Sequence, residues 1–197
     1  ITLSLLECIK AKTIAEIGSE HGGNSKLLYD WSITHDAKLL SIDPEPSKDF
    51  YQWLASTNNS VKHIKETSFT AIAQCSQVDA WFVDGDHNWY TVFNELKLIR
   101  ESALAQQKMP VIFLHDVGWP WARRDLYYAP DRIPQEFQQP YTWTEGVTLD
   151  SDLVVNGGFR SHGAFAIAKQ AGGERNGVLT AVEDFLSAHS TEYCFGY

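Results

Sequence analysis

One stretch constrains this chain more than any other: Thr13-Ile14-Ala15-Glu16-Ile17-Gly18-Ser19-Glu20-His21-Gly22-Gly23-Asn24-Ser25. Thr13 to Ile17 is β-branched, or small and apolar enough, to make a short buried parallel strand. Three glycines then fall within six residues, and Asn24 or Ser25 is placed to cap a helix whose apolar face is Leu27, Leu28 and Trp31. Strand, glycine turn and helix open a Rossmann-like unit, in which a nucleotide-bearing ligand meets the turn. Glycines after a strand also serve as plain turn residues. The residues around them decide between the two readings.

The dinucleotide fingerprint is G-x-G-x-x-G, and here Glu20 stands where its second glycine belongs. A pyrophosphate needs backbone N–H groups at close range and no carboxylate nearby. Glu16 and Glu20 would both repel it. S-adenosylmethionine (SAM) carries no phosphate, and its sulfonium and ammonium are cations that tolerate acidic neighbours. Asp43 ends the next apolar run, Lys38-Leu39-Leu40-Ser41-Ile42, where a carboxylate accepts from both hydroxyls of a ribose. E-x-G-x-x-x-G followed by a strand-end Asp resembles motif I and its partner in class I SAM-dependent methyltransferases. The cofactor-binding candidates are therefore Glu16, Gly18, Ser19, Glu20, Gly22, Asn24, Ser25, Asp43 and Asp84.

At 197 residues the chain is expected to form a single domain, or one domain with an insertion, around one core. Its net charge of −9 argues against duplex nucleic acid as a partner, because no basic stripe exists to displace counterions. Cys8, Cys75 and Cys194 are odd in number and lack C-x-x-C spacing, so no disulfide framework or zinc knuckle is expected and a reducing cytoplasm is the natural compartment. No basic, apolar leader marks a signal peptide and no apolar run reaches transmembrane length, so no membrane partner is expected. A homo-oligomer is compatible with this composition. The chain opens on Ile1 rather than Met, so residues are expected in front of it.

Ile1 to Lys10 reads as a helix leading into the first strand, and Phe50-Tyr51-Gln52-Trp53-Leu54 begins another after the Pro44 and Pro46 turn. Val61 to Ile64 is a strand, Ser68 to Cys75 a helix, and Val78 to Val83 a strand ending in Asp84-Gly85-Asp86-His87. Trp89, Val92, Phe93, Leu96 and Ile99 recur at helical spacing. Val111 to Leu114 is a fifth strand, ending in His115-Asp116. This alternation predicts an α/β, Rossmann-like, doubly wound and mostly parallel sheet. From Val117 to Gly163 the pattern breaks. The segment holds Trp119, Trp121, Trp143, Arg123-Arg124 and Tyr127-Tyr128, and is expected to be a lid-like insertion packing its aromatics over the site. Val178, Leu179, Val182, Phe185 and Leu186 form a last apolar helical face, and Thr191 to Phe195 can start one more strand.

Ligands of parallel sheets sit beyond the carboxyl ends of the strands. That brings Asp84, His87, His115 and Asp116 to the rim that holds the Gly18 turn. Two carboxylates, each with a His beside it, suit either a hard divalent cation, with Asp84, His115 and Asp116 as metal ligands, or proton transfer, with Asp84 and His87 as catalytic groups. Taken singly, Asp84 and Asp116 could instead cap helices or form turns. His87 could be an exposed residue in the first turn of the long helix, His115 a hydrogen-bonded rim histidine, and the paired arginines a structural face.

The run Val83-Asp84-Gly85-Asp86-His87 followed by His115-Asp116 resembles the macrocin O-methyltransferase-like and cephalosporin-hydroxylase-like branch of class I methyltransferases. Trp119 to Tyr128 and Gly172 to Phe185 look like further segments of that branch, found among sugar-modifying genes, and the likeness spans nearly the whole chain. It implies SAM-dependent methylation of a hydroxyl on a small, sugar-derived acceptor, with Asp84 and Asp116 on a divalent ion such as Mg²⁺ and His87 as general base. Two features depart from that branch. Its metal-dependent members carry a further acidic or amide ligand beside the second Asp, where this chain has His115. A complete class I sheet also ends in an antiparallel strand pair, and only one such strand fits before Tyr197, so a truncated chain or an altered sheet edge is expected. The rival readings are a metal-dependent hydrolase using Asp84, His87, His115 and Asp116, a SAM-binding module without turnover and, more distantly, an NAD-dependent dehydrogenase.

Overall fold

A computed structural model describes residues 1–57 and 60–196. By its internal contacts the chain divides into two compact units, one of residues 1–85 and 98–115, the other of residues 86–97 and 116–197.

The first unit is the parallel sheet. Its elements follow in order as α1 (Thr2–Cys8), β1 (Thr13–Ile17), α2 (Gly23–Thr34), β2 (Lys38–Ile42), α3 (Lys48–Ser56), β3 (Val61–Ile64), α4 (Ser68–Ala71) with a 3₁₀ turn at Ile72–Gln74, and β4 (Ala80–Val83). The latter part of the long helix α5 (Trp89–Gln106) and β5 (Val111–Leu114) complete it. The strands pair in the order β3-β2-β1-β4-β5, all parallel. Strand order thus reverses at β1, the position where α/β sheets present their ligand crevice.

Alternation of side chains along these strands builds two apolar layers. One face carries Ile14, Leu39, Val61, Ala80 and Phe82 and packs on Leu6 of α1, Leu28 and Trp31 of α2, and Trp53 and Leu54 of α3. The other carries Ala15, Ile17, Leu40, Ile42, Ile64, Trp81 and Val83 and packs on Ala71, Ile72 and Ile99. Helices on both faces make the sheet doubly wound, as the alternation of elements predicts. β4 starts at Ala80 rather than Val78, and Leu27, expected on the apolar face of α2, is 60% exposed.

In the second unit the early part of α5 is followed by β6 (Leu126–Tyr127), β7 (Tyr141–Thr142), β8 (Gly146–Thr148), β9 (Ser151–Val155), β10 (Phe159–Arg160), β11 (Ala166–Ala168) and α6 (Val178–His189), with 3₁₀ turns at Pro130–Arg132 and Gln135–Phe137. Two small antiparallel sheets result, ordered β6-β11-β7 and β10-β8-β9. The stretch without helical or strand periodicity is therefore folded. All its strands but β9 are two or three residues long, too short to show an alternation. Thr191 to Phe195 forms no strand; Tyr193 instead packs its ring on Phe185 at 5.4 Å.

Candidate functional site

The turn after β1 is held by carboxylates. Asp43, just past β2, accepts from the Ser19 and Glu20 backbone N–H groups on Oδ2, both at 2.9 Å, and from Glu45 N–H on Oδ1 at 2.8 Å. Gly18 N–H donates to Ile42 O at 2.9 Å and Gly22 N–H to Ser19 O at 2.6 Å. Four of the first amides of the turn, those of residues 18, 19, 20 and 22, are therefore occupied within the chain. Those four amides are closed to a ligand phosphate, and a carboxylate stands against two of them. Ser19 Oγ lies 2.5 Å from Ser41 Oγ, which makes Ser41 part of the support. The signal for Ser41 was a hydroxyl inside an otherwise apolar buried strand.

Gly18 is required by packing. With φ +87°, a Cβ at this position would lie 2.0 Å from the carbonyl oxygen of Asp84. The ends of β1 and β4 meet there backbone to backbone, which brings the turn and Asp84 together.

Glu16 lies beneath the turn rather than on its open side. It is 1% exposed, and its oxygens accept from Asn24 Nδ2 at 2.8 Å and from Ser25 Oγ. Burial raises its carboxyl from the ordinary 4.5 to about 7, against the lowering pull of those two hydrogen bonds. Asn24 and Ser25 consequently do not cap α2. That helix begins at Gly23, with Gly22 at the N-cap in the left-handed region at φ +78°. Their side chains serve Glu16 instead, a use invisible to a reading based on local spacing.

At the ends of β4 and β5, still in the first unit, His115 Nδ1 lies 2.9 Å from Asp84 Oδ1, with the imidazole 62% and the carboxylate 33% exposed. One oxygen and one ring nitrogen so placed can hold a cation or share a proton.

The second unit holds the other pair. His87 Nε2 lies 3.2 Å from Asp116 Oδ2, and the His87 side chain is 9% exposed. His87 precedes α5 and is buried, not an exposed first-turn residue. The N-terminus of α5 is capped by Asn88, whose Oδ1 accepts from Thr91 N–H at 2.8 Å. Asp86, whose carboxyl burial pushes up, accepts from Asn88 Nδ2 at 2.6 Å and Thr91 Oγ1 at 3.1 Å.

Asp125, which the sequence did not single out, organises this unit. Wholly buried, it accepts from Trp89 N–H at 2.7 Å, Gly177 N–H at 2.6 Å and Tyr127 OH at 2.7 Å. Burial raises its carboxyl from 3.8 to about 6. The arginine pair is structural: Arg123 grips Glu183 with two bonds of 2.6 and 2.7 Å, and buried Arg124 donates to Ala168 O and Asp152 O.

No protein-family model and no curated protein matches the chain. Among solved structures it is similar to the S-adenosylhomocysteine (SAH)-bound methyltransferase PaMTH1 of Podospora anserina, at 19% identity over 58% of this chain and 50% of that one, with a TM-score of 0.49. It is also similar to the N,N-8-amino-8-demethyl-D-riboflavin dimethyltransferase RosA of Streptomyces davawensis, at 17% identity over 51% of this chain and 34% of that one, with a TM-score of 0.39. The chain thus spans half of the length of the first and about a third of the second.

Proposed function

We propose that the chain is a SAM-dependent methyltransferase acting on a hydroxyl of a small acceptor. One observation carries this reading: the Asp43 carboxylate sits against the turn and takes its Ser19 and Glu20 amides, so a phosphate there would meet a like charge and occupied donors. A ligand suited to this switch point is a nucleoside without a phosphate at the turn, and one tolerant of acidic neighbours. SAM meets both conditions, and its sulfonium supplies an activated methyl group. Asp43 keeps the turn in shape and, with one acceptor site left on Oδ1, accepts from a ribose hydroxyl; Gly18, Ser19, Glu20 and Gly22 form the surface against the nucleoside. Glu16, Asn24 and Ser25 support that surface from below.

For the acceptor we assign His87 as general base, with Asp116 holding the imidazole and stabilising the imidazolium that forms. This gives Asp116 to His87 rather than to a metal. Asp84 and His115 would hold a divalent ion, the carboxylate suiting Mg²⁺ and the imidazole a softer ion, and such an ion would lower the pKa of a bound hydroxyl. The likeness of Trp119 to Tyr128 to proteins of sugar-modifying gene sets puts sugar-derived compounds among the acceptors to be tested.

The test is SAH release from SAM with a panel of hydroxyl compounds, run with excess EDTA and again after Mg²⁺ is restored. His87→Gln is expected to slow turnover by roughly 10²–10⁴-fold, the span of a positioned acid or base. Full activity in EDTA would remove the metal from the account and leave methyl transfer standing. A protein that binds SAH yet turns over nothing would leave only a binding module.

A further inference from the structure

The second unit carries an aromatic surface that its own fold does not use up. β6 pairs with β11 antiparallel, with Tyr127 opposite Ala166, so the next residues along, Tyr128 and Phe165, also face each other across the strands. Their ring centroids are 5.9 Å apart. Phe159, on β10, lies 6.4 Å from Phe165 with the ring planes within 27° of parallel. Trp121, 5% exposed, anchors both phenylalanines edge-on at 5.7 and 6.0 Å. Tyr128 and Phe159 nonetheless remain 51% and 49% exposed. The row ends at the imidazole of His87, 6.4 Å from the Tyr128 ring.

Resting on the proposed methyl transfer and its assignment of His87, we infer that Tyr128, Phe165 and Phe159 form the acceptor shelf, and that the acceptor is a hydroxylated aromatic ring stacked on it with its hydroxyl toward His87. Two considerations select this occupant. The first is size. Aromatic side chains of this kind present about 150–250 Å² each, and with about half of Tyr128 and Phe159 and less of Phe165 exposed the shelf offers on the order of 250 Å². That is well below the roughly 800 Å² per partner of a stable protein interface, and it suits one small ring system. The second is chemistry. The shelf is built of π faces, and the Tyr128 hydroxyl is the single polar side-chain atom among its three residues. A phenolic ring stacks π face on π face with these side chains and brings one or two hydroxyls at its rim, whereas a sugar ring offers only C–H groups to them.

Catechol and methyl glucopyranoside are the probes. Ligand-observed NMR, which needs no turnover, is expected to show catechol binding to the wild-type protein, weakened in Tyr128→Ala and Phe165→Ala and retained in Tyr128→Phe. With SAM present, Tyr128→Ala should raise the KM for catechol roughly 2- to 12-fold, the span of one aromatic pair, with SAH affinity unchanged. Catechol binding that ignores both alanine variants, or a glucopyranoside bound and methylated in preference, would overturn the inference. Shelf-dependent catechol binding without SAH binding would keep the shelf and remove methyl transfer, so the two failures are distinguishable.

Discussion

The two units solve the same problem, that of fixing a loop, by opposite means. In the first, a parallel sheet with an apolar layer on each face positions the strand ends, and the turn after β1 is then tied by carboxylates at its edges, Asp43 beside it and Glu16 beneath it. In the second, the strands are two to five residues long, and a single carboxylate, Asp125, joins the start of α5, the start of α6 and Tyr127. Where periodic burial is plentiful, polar groups adjust the structure. Where it is scarce, a buried polar group takes over the organising role, and its removal should cost more.

The largest effect should therefore fall in the second unit. Asp125→Ala strands three buried donors, each worth about 1–3 kcal/mol when left unpaired, so a loss of about 3 kcal/mol or more is expected in chemical unfolding. Hydrogen exchange should show the amides of Trp89 and Gly177 opening first. A loss below about 1 kcal/mol would mean that the unit does not depend on this carboxylate.

Next comes Gly18→Ala. A Cβ 2.0 Å from the Asp84 carbonyl forces the ends of β1 and β4 apart, and the left-handed backbone adds strain, so about 3 kcal/mol is expected together with loss of ligand binding at the turn. The matching control is Gly173→Ala in the second unit. There φ is +86° but a Cβ would meet nothing within 4 Å, so about 1–2 kcal/mol from backbone strain alone is expected.

Comparable effects appear in the pH dependence of stability. Both Glu16 and Asp125 have carboxyls raised by burial, to about 7 and about 6. A raised acid binds its proton more tightly in the folded state. Its contribution is therefore complete below the unfolded value and fades as pH rises through the folded one. Glu16 should cost roughly 3 kcal/mol of stability between pH 4.5 and 7. Glu16→Gln should flatten that stretch of the stability curve, and Asp125→Asn should flatten the lower window from 3.8 to 6. A wild-type curve that rises with pH across both windows would contradict the burial assigned to these groups.

The first unit was legible because its information is local and periodic. Five apolar runs gave five strands within two residues at each boundary, and the residues that end three of them, Asp43, Asp84 and His115, fell at the strand end that the fold presents to a ligand. The role of Glu16 was not legible. A carboxylate in a buried strand has no periodic meaning, and its partners Asn24 and Ser25 looked like caps. In the second unit β6 and β7 are two residues long, which is too short for alternation, and Asp125 sits between Arg124 and Leu126 with nothing local to mark it. Its three partners come from positions 89, 127 and 177, and only folding brings them together.

The central claim is that the carboxylates around the turn disfavour a phosphate there and suit a nucleoside that carries none. Calorimetric titration with SAH, and separately with NADH, tests it most directly. The account predicts SAH binding in roughly the micromolar range, about −8 kcal/mol, weakened in Asp43→Ala, and no saturable heat with NADH. Saturable NADH binding with none for SAH would contradict it.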